Sequence, residues 1–210
     1  MKWLIATAIL AAAGYVTSVI KSGEHDFSSQ LPAAVASRQC EPAAPAYDAE
    51  TITVSAVIRG LLKTNRRHHL YRDDAARNAL AAEFVQVARE WDIPLYLLVA
   101  SAYKESTFRP NVAGKLGEQG LLQLHGPAAE GCDFSTTLGQ LQCGARYLSA
   151  SAKKCGDLRD AVARYMSGGC NPSEGVYAKV DARLLLQSDL EQAAAGSTAT
   201  LVASAGNHNM

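Results

Sequence analysis

Residues 100–110, ASAYKESTFRP, and the glycine-rich stretch at 114–126, GKLGEQGLLQLHG, decide how this chain is read. Pro94–Ser106 predicts a short helix, with proline in its first turn and Leu95, Leu97, Leu98, Val99 and Ala102 as packing residues. Leu98, Ala102 and Glu105 follow at helical spacing, which sets a carboxyl group beside an apolar stripe near the helix's C-terminal end. Neither the dipole nor partial burial favours negative charge there, and a carboxyl group so placed suits a general acid. The glycines at 114, 117, 120 and 126 predict a tight exposed connection. They are no phosphate loop, because the preceding strand and the Lys-Ser/Thr ending are missing.

Working outward, Asp73–Trp91 predicts the clearest helix, capped by Asp73 or Asp74, with Leu80, Phe84, Val87, Ala88 and Trp91 as its buried stripe. Asp92-Ile93-Pro94 turns it directly into the Glu105 helix, so that two hinged helices back the carboxyl group. Thr136–Ala152 repeats the helical pattern through Leu138, Leu141, Ala145 and Leu148, and Asp157–Met166 through Leu158, Val162 and Tyr165. A buried tyrosine ring needs a partner for its hydroxyl. A last helix is expected over Pro172–Leu190, on Tyr177, Val180 and Leu184. Thr51–Leu62 fits either period and is read as a helix for want of a strand partner. The fold class is therefore all-α.

Bulk properties set the frame. The 210 residues suffice for one sizeable core, and a formal net charge of zero gives no electrostatic case for a nucleic-acid partner. Trp3–Ile20 carries no charge and is bracketed by Lys2 and Lys21. It reads as a membrane anchor of minimal length with a cytoplasmic N-terminus, and a cleaved signal peptide is the rival. Either way the rest of the chain is expected outside the cytoplasm. Ser22–Glu50, with Pro32, Pro42 and Pro45, reads as a tether, and the basic cluster from Lys63 to Arg72, with His68-His69, as a solvated loop. The small, polar run from Ala193 onward is expected to be disordered. The expected divisions are thus 1–21 anchor or signal peptide, 22–72 tether and pre-domain segment, 73–190 folded domain, and 191–210 tail.

Cys132, Cys143, Cys155 and Cys170 can form two disulfides in an oxidising compartment, with three pairings open. Proximity along the chain suggests Cys132–Cys143 and Cys155–Cys170, with Cys40 left over. Without a C-x2-C pair the set makes a poor zinc site, and no metal is expected.

Glu105-Ser106, Phe108, Pro110-Asn111, Gly117 and Gly120-Leu121-Leu122-Gln123, in that order, are continued by Ala163-Arg164-Tyr165, Ser167-Gly168, Tyr177 and Val180. Together they resemble the signature of the soluble-type (SLT) lytic transglycosylases of the lysozyme-like superfamily, over roughly Ala75–Gln187. The resemblance implies a lysozyme-like domain that cleaves the β-1,4 bond between N-acetylmuramic acid and N-acetylglucosamine in peptidoglycan. It implies Glu105 as the catalytic acid and then base, with closure of a 1,6-anhydromuramyl ring and no cofactor. Ser106, Gln123, Tyr165 and Tyr177 would contact the glycan. Two departures stand out: Met166 replaces the family's asparagine, and Glu118 follows Gly117 where alanine is usual.

A hydrolytic muramidase would need a second carboxylate, for which Glu118 and Asp133 are the candidates. A non-catalytic peptidoglycan-binding or assembly protein is the non-enzymatic reading, and Met166 is its main support. By the same resemblance the protein belongs in the periplasm, anchored in the inner membrane or released there, or associated with a phage. Such an enzyme would serve wall remodelling, an envelope-spanning secretion or conjugation machine, or the passage of phage DNA.

Overall fold

The computed structural model describes residues 46–63 and 70–206, with side-chain environments as far as residue 197. Among them lie six α-helices and one 3-10 turn: α1 (Ala49–Lys63), α2 (Asp74–Trp91), α3 (Leu95–Ser106), the 3-10 turn (Gly126–Ala128), α4 (Thr137–Cys155), α5 (Leu158–Ser167) and α6 (Glu174–Gly206). Two isolated bridges, between Ala113 and Gln119 and between Gln119 and Leu124, supply the extended pairing among the described residues. The all-α expectation holds. The expected anchor, most of the tether, Cys40 and His68-His69 lie outside the described residues, among which no helix is long and apolar enough to cross a membrane.

The core forms around α3. Leu97, Leu98, Val99, Ala100 and Ala102 are all buried, so this helix is enclosed on nearly every side. α2 and α6 pack against it, α1 lies on α2 and α6, and α4 bridges α2 and α5. Phe84 of α2 meets Phe108, just beyond α3, edge to face at 6.0 Å. Left-handed Asp92 ends α2, and Ile93 N–H bonds back to Ala88 O at 3.0 Å before Pro94 opens α3. Asp73 is the cap of α2: its carboxylate accepts from Ala76 N–H at 3.0 Å. Thr136 and Asp157 cap α4 and α5 in the same manner.

Two expected boundaries change. The folded body begins at α1, well before residue 73, because α1 packs on two neighbours and buries Val54, Val57 and Ile58. Its buried face also holds Thr51, Thr53 and Ser55, which blurred the hydrophobic period; Thr53 satisfies its hydroxyl by donating to Ala49 O at 2.8 Å. At the other end, the chain expected to be disordered from Ala193 continues as helix to Gly206. Alanine's high helix propensity and the burial of Leu190 and Ala194 extend α6 past the expected stop at Leu190.

The cysteines pair as chain proximity suggested. Cys132–Cys143 ties the segment before α4 to its second turn, and Cys155–Cys170 joins the end of α4 to the turn after α5. Closing a loop whose ends are 15 residues apart removes about 3 kcal/mol of denatured-state entropy. Replacing Cys155 and Cys170 together by serine should lower unfolding free energy by about that amount in a urea titration. Native secondary structure should persist in the absence of denaturant.

Candidate functional site

Glu105 sits in the last turn of α3, where the helix ends in two successive left-handed residues, Thr107 (φ 56°) and Phe108 (φ 59°). Such conformations cost energy in residues that carry a Cβ and persist where the surroundings impose them. Here the surroundings are visible. Phe108 is fully buried against Phe84 and Tyr103, which pulls the chain inward. Ser106 Oγ donates to Ala102 O and accepts from Arg109 N–H, both at 3.1 Å. Ser106, from which a glycan contact was expected, is almost wholly buried and lies outside the cleft lining. It clamps the turn that presents Glu105.

The carboxyl group opens onto a cleft of about 710 Å³. Glu118, Gln123, His125, Tyr147, Tyr165 and Met166 share its lining with Glu105. The glycine-rich stretch folds as a knot of short turns rather than a helix. Gln119 and Leu124 exchange backbone hydrogen bonds at 2.9 and 3.0 Å, and Gly120 N–H reaches Val112 O at 2.9 Å. The buried amide of Gln140, from α4, fastens this knot: its oxygen accepts from Leu121 N–H at 2.7 Å, and its nitrogen donates to Phe134 O and Pro110 O. Gly120 has φ +74°, and a Cβ there would lie 2.5 Å from the Gln140 oxygen, so glycine is required twice over.

Gln123 lines the cleft, in a left-handed conformation (φ 46°). Its amide nitrogen is spent inside the loop, donating to Gly120 O at 2.9 Å and Val112 O at 3.0 Å, so the side-chain oxygen is the group left for a ligand. Tyr165 also reaches the cleft, and its hydroxyl donates to Leu122 O, joining α5 to the loop. Burial, reinforced by the Glu105 charge, pushes this phenol far above its usual range, so it stays a donor. Tyr177 lies elsewhere. Its hydroxyl donates to Asp160 at 2.6 Å and Cys170 O at 3.2 Å, and Arg159 covers its ring at 4.1 Å. It staples α6 to α5 and is outside the cleft lining.

The two candidate second carboxylates separate. Asp133 is turned away from the cleft: it accepts from Ser135 N–H at 2.8 Å, Ser135 Oγ at 2.6 Å and Thr136 Oγ1 at 3.0 Å, bonds that hold its carboxyl below the usual range. Glu118 stands in the cleft lining. Its own N–H, then the N–H of Leu116, hold its carboxyl low, with His125 adding a smaller effect.

The periodicity reading missed Arg183. Its guanidinium, only 5% exposed, donates from Nη2 to Glu105 Oε1 at 2.6 Å and lies 6.0 Å from the Tyr165 ring centre. A signal was present. Val180, Arg183, Gln187, Leu190 and Ala194 recur at steps of three and four along the core-facing stripe of α6, and one of them is a cation. Among the described residues no cluster of histidine, cysteine, aspartate and glutamate is placed to hold a metal ion.

No family model, curated protein or solved structure matches the chain.

Two substitutions test these assignments. Gln140→Leu leaves the buried Leu121 N–H unpaired and should cost about 1–3 kcal/mol in denaturant unfolding. Tyr177→Phe removes the hydroxyl bonds to Asp160 and Cys170 O and should lower the thermal midpoint slightly in a calorimetric scan.

Proposed function

We propose that the protein is a peptidoglycan lytic transglycosylase with a lysozyme-like catalytic domain and Glu105 as its acid and base. The observation that carries the reading is the placement of Glu105. It is a carboxyl group at the end of a buried helix, opening onto a cleft of about 710 Å³, with Arg183 on one oxygen and Oε2 free of any partner among the described residues. An acid that is rigid from behind and accessible in front is what glycosidic bond cleavage requires.

With a glycan strand in the cleft, Oε2–H gives its proton to the oxygen linking N-acetylmuramic acid to N-acetylglucosamine. The C1–O bond breaks through an oxocarbenium-like state and the N-acetylglucosamine end leaves as an alcohol. Oε2 then takes the proton of the muramyl C6 hydroxyl, and O6 closes on C1 to form the 1,6-anhydro ring. Atoms balance without water, metal or cofactor. The Gln123 side-chain oxygen is suited to accept from an N-acetyl N–H. Met166 offers a thioether in place of an amide, so that wall of the cleft binds by contact rather than by hydrogen bond. The setting consistent with two disulfides is the periplasm, with Trp3–Ile20 as an inner-membrane anchor. There the enzyme would open the wall for remodelling, for a secretion or conjugation machine, or for phage DNA.

A hydrolytic muramidase is the second reading, favoured by the presence of Glu118 in the same cleft with its carboxyl held low. An ionised carboxylate can activate water on the muramyl carbon. Mass spectrometry of purified peptidoglycan digested by the full chain separates the readings, with Glu105→Gln in parallel. Fragments ending in anhydromuramyl groups, absent with the variant, are the expected result. Reducing ends that disappear in Glu118→Gln would make it a hydrolase, and intact glycan after treatment with the folded, oxidised protein would leave a binding protein.

A further inference from the structure

We infer that Arg183 is a positioning residue for Glu105: it binds one carboxylate oxygen and thereby assigns the other to the glycosidic proton. The inference rests on the transglycosylase reading of the cleft and extends it to a residue on α6.

Arg183 Nη2 bonds to Glu105 Oε1 at 2.6 Å, while Nε and Nη1 are buried without a hydrogen-bond partner among the described residues. A guanidinium that served only to hold α6 in place would be expected to spread its donors over backbone carbonyls. Arg77 does so, donating to Tyr71 O and Arg72 O besides Asp74. Arg183 instead directs its one bond at the carboxyl group that opens onto the cleft. Burying a cation with two unpaired nitrogens is costly, and the geometry directs its one hydrogen bond to a single oxygen.

The consequence is a division of labour between the two oxygens. Oε1 lies under Nη2 and remains an acceptor whether Glu105 is protonated or not. Oε2 carries the proton out to the leaving oxygen and receives the C6 hydroxyl proton back. When the first transfer leaves a carboxylate, the guanidinium is already in place to stabilise it, with no reorganisation. The remaining charged and titratable groups lining the cleft are Glu118 and His125 on the loop, Tyr147 on α4, and Arg164 and Tyr165 on α5. Arg164 is engaged with Ser151 at 2.8 Å and lies over the Tyr147 ring at 5.1 Å. Tyr165 gives its hydroxyl to Leu122 O. No hydrogen bond among the described residues joins any of these groups to Glu105.

The test is steady-state kinetics of the full chain on soluble peptidoglycan fragments, comparing Arg183→Met and Arg183→Lys with the native protein and recording Tm for each. Methionine keeps much of the side-chain volume without the charge. Arg183→Met should lose about 100-fold in kcat, the loss expected of a misplaced reacting group, with KM within about twofold. Lysine, a point charge without the planar fork, should recover about tenfold of that loss even where its Tm is no higher than that of the methionine variant. Native kcat in folded Arg183→Met, or kcat that merely follows Tm across the series, overturns the inference and leaves the reading of the cleft standing. Should Arg183→Met fail to fold, Arg183→Lys decides: about tenfold lower kcat at native KM supports positioning, and native kcat refutes it. If the native chain releases no anhydromuramyl product, the reading of the cleft fails and the inference falls with it.

Discussion

A carboxylate at the C-terminal end of a buried helix meets the negative end of the dipole, and something must offset it. In this protein the offset is one hydrogen-bonded ion pair between Glu105 of α3 and Arg183 of α6, residues separated by 78 positions in sequence. Much of the architecture can be read as its support. α3 is apolar on nearly every side and has to be enclosed. α6 lies along it with a stripe at helical spacing, and the single cation of that stripe falls at the level of the carboxyl group. Neither partner is stable alone in that setting. A lone guanidinium there would be a buried charge, and a lone carboxylate would face the dipole with only the cleft for relief.

The surroundings of this pair are held by bonds that touch no ligand. Ser106 closes the turn after Glu105, Phe108 drives the left-handed backbone inward, and Gln140 pins the glycine-rich loop from α4. Tyr165 ties α5 to the same loop through Leu122 O. The cleft is therefore walled by segments distant in sequence, each fastened by a buried hydrogen bond or ring contact. Such redundancy holds the Glu105 carboxyl group in a fixed position at the cleft. Both disulfides reinforce this frame, one closing the segment before α4 and the other the turn after α5.

The helices that back the site were legible because their apolar residues are large and regularly spaced. Leu80, Phe84 and Val87 announce α2, and Leu141, Ala145 and Leu148 announce α4. α1 was ambiguous for the opposite reason: Thr51, Thr53 and Ser55 are buried with their hydroxyl groups on its core-facing side, so hydrophobicity alone misplaces the period. The far end of α6 looked like a tail because alanine, serine and threonine read as polar filler, although alanine is the strongest helix former. At the site, Glu105, Gln123 and Tyr165 share the lining of one cleft, and Ser106 and Tyr177 lie outside it. Both of these spend their hydroxyl groups within the fold, a fate that spacing cannot distinguish from ligand contact.

Arg183 escaped for a further reason. Helical pattern reading looks for apolar residues on the inner stripe and passes over a charged one, yet a buried charge is the more informative observation. A cation at a core position implies an anion within reach, and the anion must come from another element. The exception in the inner stripe of α6 poses one question: which acid answers Arg183. Glu105, the acid set at the closed end of the apolar α3 helix, is the counterpart that the fold supplies. The same logic separates the carboxylates that were left open. Asp133 is answered by Ser135 and Thr136 outside the cleft lining, whereas Glu118 is answered by backbone N–H groups on the cleft wall, which hold its carboxyl low.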